Sequence, residues 1–195
     1  MKLNITAGKR PLLFFTLCFL FAMAVVAFNN RNWEFLYYTA IVSTLLLVVV
    51  FYHKTLYLTK TIMAGLLLVA VLHILGGNVN IGGTRLYDFW ILGYWFRYDN
   101  LVHFIGSFVA TFIAYNILQP HLDMALKRNW VLLSIILVLM ASGIGAVNEI
   151  LELGAVIMLG ASQQVGGYMN NAFDLVWNFL GSAAAVFFLM KPKPE

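Results

Sequence analysis

The residues best suited to chemistry form three polar pairs, each set in an otherwise apolar run. Asp99 and His103 are four apart, Glu149 and Glu152 three apart, and Asp174 and Asn178 four apart. Residues at those spacings share one face of a helix, so each pair presents its polar groups in one direction. One imidazole with two or three carboxylates is a ligand set for Zn²⁺, Mn²⁺ or a similar divalent ion. The same groups can act as general acid and base. His103, Glu149, Glu152 and Asp174 are therefore the candidate metal ligands, with His73 and Asn178 as further candidates. Glu149, Glu152, His103 and Asp99 are the candidate catalytic groups, Asp99 as the partner that orients the His103 ring. An ionised side chain at membrane depth costs at least ~2.5 kcal/mol. A bound cation, a shared proton, or pairing among these groups and Arg97 must offset it.

The elements that must position these pairs follow from composition. Hydrophobic residues make up 62% of the 195, charged residues only 10%, and mean hydropathy is +0.87. So few charges cannot cover a soluble surface. A helix needs about 20 mainly apolar residues to cross a bilayer core, and six segments qualify: 11–28, 35–52, 61–77, 101–119, 130–159 and 174–190. The expected fold is an all-α polytopic transmembrane bundle of about six helices, a single integral membrane domain over 1–195. The first run follows Lys2, Lys9 and Arg10 and has no clear small-residue cleavage site after it, so it reads as a retained helix and not a signal peptide. The stretch 78–100 is dense in aromatics from Tyr87 to Tyr98, which suits a short interfacial helix or re-entrant piece. The uncharged stretch 160–173 reads as a loop. With one cysteine, Cys18, no intrachain disulfide is available.

Charge sets the expected orientation. Lys2, Lys9, Arg10, Lys54, Lys60, Lys127, Arg128, Lys191 and Lys193 fall on one side of a six-span chain, and Arg31, Arg85 and Arg97 on the other. That bias puts both termini in the cytoplasm, and the basic residues mark topology, with no nucleic-acid partner implied. The acids run the other way: Glu34, Asp88, Asp99, Glu149, Glu152 and Asp174 all fall in outer loops or outer helix halves, leaving Asp123 and Glu195 inside. Glu149 is about 19 residues, or roughly 28 Å, into a helix that starts inside. Each polar pair also runs into small residues: Gly106, Ala110 and Ala114; Ser142 and Gly145; Gly181 and Ala185. Small stripes are where membrane helices approach closely, so the acids should face the bundle interior. His53 and His121 sit in loops and read as solvated.

The segments RYDNLVHFIGSF, NEILEL and GGYMNNAFDLVWNFLGSAAA resemble the YjdF-like inner-membrane proteins of the broader VanZ-like group, mainly over residues 98–185. The resemblance carries over Asp99, His103, Glu149, Glu152, Asp174 and Gly181. Two positions depart from the pattern: Leu153 stands where a tryptophan is usual, and Asn170 where an aspartate is usual, which removes one ligand from the set. The resemblance implies the plasma (inner) membrane of a bacterium or archaeon, and the VanZ link to glycopeptide resistance points to the cell envelope.

Two function classes fit. An outward-facing acid–histidine cluster with a divalent metal ion suits an enzyme acting on lipid or envelope-precursor phosphates, with membrane lipids as the surrounding partner. The same cluster suits a cation- or proton-coupled binding or transport protein, or a structural membrane protein without catalysis. Gathering of charge in the outer half argues against a continuous conduit.

Overall fold

The computed structural model describes residues 10–52 and 59–189. The chain runs α1 (Arg10–Asn29), α2 (Trp33–Tyr52), α3 (Lys60–Asn78), α4 (Tyr98–Leu118), α5 (Met124–Arg128), α6 (Trp130–Leu159), α7 (Ser162–Val165) and α8 (Tyr168–Leu189). The six expected spans are thus the six long helices. By length and apolarity α3, α4 with the turn after it, α6 and α8 can each cross a membrane, and 13–29 within α1 is a shorter apolar helix. Large apolar side chains such as Phe21, Leu139, Ile157 and Phe187 cover the outside, a surface that suits lipid and not water. Lys2, Lys9, Lys54, Lys191, Lys193, Glu195, His53 and Met190 lie outside the described residues.

Helices dominate because a backbone in hydrocarbon must satisfy its own hydrogen bonds. Their ends are fixed by local chemistry. Thr59 Oγ1 accepts from Ile62 N–H, and Asn129 Oδ1 from Leu132 N–H, capping α3 and α6. Gly160 closes α6 in the left-handed conformation, φ 68°. At 30 residues α6 is about 45 Å long, well beyond a hydrocarbon core of about 30 Å.

Antiparallel neighbours bring the starts of α2, α4 and α8 and the ends of α1, α3 and α6 to one end of the bundle, here called the polar end. The α4–α8 contact is the most extensive, joined by α6 packed on both. Glycine makes this possible: a Cβ at Gly181 would run into the Phe104 carbonyl, and one at Gly145 into the Asn178 amide. Ala110, Ala114 and Ala185 are buried at the same seam. Gly106 departs from it, its nearest neighbour being Val69 of α3.

Two connections differ from expectation. The stretch between α3 and α4 is neither a helix nor a re-entrant piece. It is two small antiparallel hairpins, Asn80–Ile81 with Thr84–Arg85 and Trp90–Leu92 with Phe96–Arg97, joined by a 3-10 turn at Leu86–Asp88. Gly82 and Gly83 both have positive φ, the requirement of the tight two-residue turn that pairs such strands. Tyr94 and Trp95 stand exposed at the second tip, as an interface anchor would, but Tyr87 and Tyr98 turn inward and are buried. The last long helix begins at Tyr168, one and a half turns before the expected 174. Asn170 sits in that added turn, which places its amide four residues before Asp174 and against it.

Candidate functional site

The three polar pairs converge at the polar end. His103 of α4 lies at the centre, its side chain only 6% exposed. Its two ring nitrogens face different carboxylates. Nε2 is 3.5 Å from Asp99 Oδ1 and 3.8 Å from Asp174 Oδ1. Nδ1 is 3.6 Å from Glu149 Oε1. Two triads result, Asp99–His103–Asp174 and His103–Glu149–Glu152, and within each the donor atoms lie within 4.8 Å of one another. The expectation that the acids point into the bundle holds: Asp174 is fully buried, and the Glu149 side chain is 11% exposed.

The two sides are satisfied unequally. Asn170 donates to Asp174 Oδ2 at 2.7 Å and to Asp99 Oδ2 at 3.3 Å. Asn100 donates to Asp174 Oδ1 at 3.4 Å, while its own Oδ1 accepts from Arg97 N–H and caps α4. Arg97 donates to Asn170 Oδ1 and lies over the Trp90 ring. On the other side Asn148 donates to Glu152 Oε1 at 2.7 Å. Both Glu149 oxygens are buried and have no hydrogen-bond partner among the described residues.

The two further candidates sit apart from both triads. His73 Nδ1 lies 2.5 Å from the Tyr87 hydroxyl, in an aromatic nest with Phe35 and Tyr38. Burial pushes the Tyr87 phenol well above its ordinary pKa, so it faces His73 as a neutral O–H. Asn178 Oδ1 accepts from Ser107 Oγ at 2.8 Å, a turn deeper than Asp174. His121 is exposed in the turn after α4.

A cavity of about 190 Å³ opens beside the cluster. Arg85, Arg97, Asp99, Glu152, Asn170 and Tyr38 are among its walls. Tyr38 is buried and its hydroxyl has no partner among the described residues. Arg85 pairs with Asp88 at 3.0 Å and with buried Glu34 at 3.5 Å. Sequence reasoning did not single out Asn100, Asn148 or Tyr38. Asn148 is four before Glu152, the same spacing rule that exposed the acid pairs. Asn100 and Tyr38 carry no such signal, because each joins the site only through helix packing.

A chain with this end-on polar cluster in an apolar bundle has a recognisable kin. Residues 11–192 match the family described as predicted membrane protein (DUF2238). The chain belongs to that family. No curated protein and no solved structure matches it. The match covers nearly the whole chain, α1 to α3 included, and makes the protein a membrane protein built of several apolar helices.

Proposed function

We propose that the chain is a membrane-embedded hydrolase of phosphate esters, with a divalent cation held by His103 Nδ1, Glu149 and Glu152. The observation that carries the reading is the Glu149 carboxylate, buried with neither oxygen hydrogen-bonded among the described residues and with only His103 Nδ1 facing it at 3.6 Å, beside two aspartates that draw donors from Asn100 and Asn170. A buried carboxylate without partners is costly, and a cation is the group that removes that cost while using both oxygens. One imidazole nitrogen with two glutamates suits Zn²⁺ or Mn²⁺. Such an ion supplies Lewis acidity toward a phosphoryl oxygen and a bound water of lowered pKa. Asp99 and Asp174 then hold the other ring nitrogen, fixing the tautomer that offers Nδ1. This refines the expected ligand set, moving Asp174 to the orienting side with Asp99.

The adjoining cavity supports the reading by offering room for a substrate. Arg85 and Arg97 bring guanidinium groups to its walls, where a phosphate would compete with Asp88 and Glu34 for Arg85 and with Asn170 for Arg97, and Glu152 and Asp99 lie on the same walls. The positive-inside bias and the expected YjdF-like and VanZ-like resemblance support a reading in which this end faces outward from a plasma membrane, at headgroup level. There a lipid or envelope-precursor phosphate is the available ester. Phosphate release from such headgroups by protein in nanodiscs, with and without Mn²⁺ or Zn²⁺, tests the reading; no release from any headgroup under either condition overturns it.

One observation favours the alternative, a cation- or proton-coupled carrier. Ser107, Asn178, Ser142 and Ser182 continue polar contacts below the cluster, and Asn178 Nδ2 is buried without a partner among the described residues. That line stops at Ala114, Leu133, Leu137 and Val186, which pack into an apolar plug. No charged residue occurs over 104–118, 130–148 or 175–189. A proton flux through reconstituted protein, lost in Asn178→Leu, would reverse the choice.

A further inference from the structure

A second and larger cavity, about 570 Å³, lies beside the first at the polar end. It falls within the roughly 300–1,000 Å³ of small-molecule sites. Glu34 and Arg85 line both cavities, so their ion pair is the shared wall. Three segments build the larger one: the α1–α2 turn, the end of α3 leading into the first hairpin, and the end of α6. The floor is held firmly. Asn32 Nδ2 donates to the Gly77 carbonyl, and Asn32 Oδ1 accepts from Phe35 N–H, tying the α1–α2 turn to α3. Any side chain at Gly77 would overlap the Phe35 ring.

The lining states a chemistry. Four asparagines contribute, Asn32 and Asn78 half-buried and Asn30 and Asn80 exposed at the rim. A carboxamide offers a donor and an acceptor side by side, the complement of a hydroxyl group, which is both. Asn78 spends its Nδ2 on the Ile74 carbonyl, and its buried Oδ1 has no donor among the described residues. A ligand hydroxyl reaching it would meet an unused acceptor. Trp33 adds an exposed ring, a surface for the C–H face of a sugar or polyol. Arg31 and Arg85 stand against Glu34 on the lining, and Arg85 is also paired with Asp88, so the charges balance. An acyl chain would find, besides Trp33, little but Leu159, Ala161 and the glycines to rest on, and a lone anion would use only the donor half of each carboxamide.

We propose that this cavity binds a hydroxyl-rich group, glycosyl or polyol, esterified to the phosphate held at Arg85 and Arg97. The inference rests on the phosphate-ester reading above and adds the class of the ester's other half. The same chemistry reaches the site from a lipid headgroup or from a soluble sugar phosphate.

Calorimetry on the full chain in nanodiscs, with EDTA present so that neither turnover nor bound metal enters, tests it with glucose 1-phosphate, glycerol 1-phosphate and inorganic phosphate. At least one of the two esters should bind about tenfold or more tighter than phosphate. Asn78→Leu should erase that advantage and leave phosphate binding unchanged. The Asn30→Ala/Asn80→Ala double variant, altered only at exposed positions, should reduce it as well. Short-chain phosphatidylinositol against short-chain phosphatidic acid forms the lipid arm; a preference confined to one arm names the source. Equal affinity of ester and phosphate in both arms, no binding in either, or an advantage untouched by both variants overturns the proposal. Loss of the ester preference with headgroup hydrolysis intact sinks this inference alone, whereas a retained preference in a protein that hydrolyses nothing sinks the hydrolase reading and leaves the cavity's ligand in place.

Discussion

The two faces of His103 carry the same charges and opposite degrees of satisfaction. On the Nε2 face, Asp99 and Asp174 draw donors from Asn100 and Asn170, and Arg97 stands behind Asn170. On the Nδ1 face, Asn148 serves Glu152, and Glu149, with His103 Nδ1 3.6 Å away, is buried with no hydrogen bond among the described residues. A buried polar group is ordinarily hydrogen-bonded, and one that is not calls for an explanation. The difference is what motivates the proposed cation: the aspartates draw asparagine donors, whereas Glu149 has none among the described residues.

Breaking the open side should have the largest effect. Glu149→Gln removes the charge of the buried carboxylate that has no hydrogen bond among the described residues, and Mn²⁺ binding followed by electron paramagnetic resonance should be abolished. Asp99→Asn and Asp174→Asn act through the ring only, so binding should weaken by about 10- to 100-fold without vanishing. If these two variants cost more than Glu149→Gln, the faces have been assigned the wrong way round. Gly181→Ala drives a methyl group against the Phe104 carbonyl where α4 meets α8. Thermal unfolding in detergent should show a loss of about 1–3 kcal/mol, with the Asp174 support displaced from His103. Asn148→Ala strips one donor from Glu152, and cation affinity should change by less than in either aspartate variant. Gly143→Ala is the control: a Cβ there meets nothing within 4 Å, and stability should hold or rise slightly.

Much of this was legible in the sequence because a bilayer imposes a length. Six apolar runs became six long helices, and the i, i+3 and i, i+4 pairs came together because small residues beside them let α4, α6 and α8 close up. The connections were less legible. Residues 78–100 read as an interfacial helix on aromatic content, yet Gly82 and Gly83 between short β-prone segments were the better signal, and they form the hairpin turn. The run from Tyr168 to Phe173 reads as a loop from its asparagines, whose helix propensity is poor. Tertiary contacts override that, since Asn170 is held by Asp99, Asp174, Arg97 and the Val165 carbonyl. The loss of an aspartate at that position looked like a missing ligand. In the structure it is a gained donor, and it decides which face of His103 is already satisfied. The split of the cluster into two faces, and the cavities beside it, depend on rotamers and helix register that no spacing rule supplies.

The most direct test of the cation's place is anomalous diffraction from crystals of the full chain grown with Mn²⁺ or Zn²⁺. The account predicts one strong peak bonded to His103 Nδ1, at about 2.0–2.2 Å for Zn²⁺, with Glu149 and Glu152 completing the site. A peak on the Nε2 side among Asp99 and Asp174, or none at saturating metal, would contradict it.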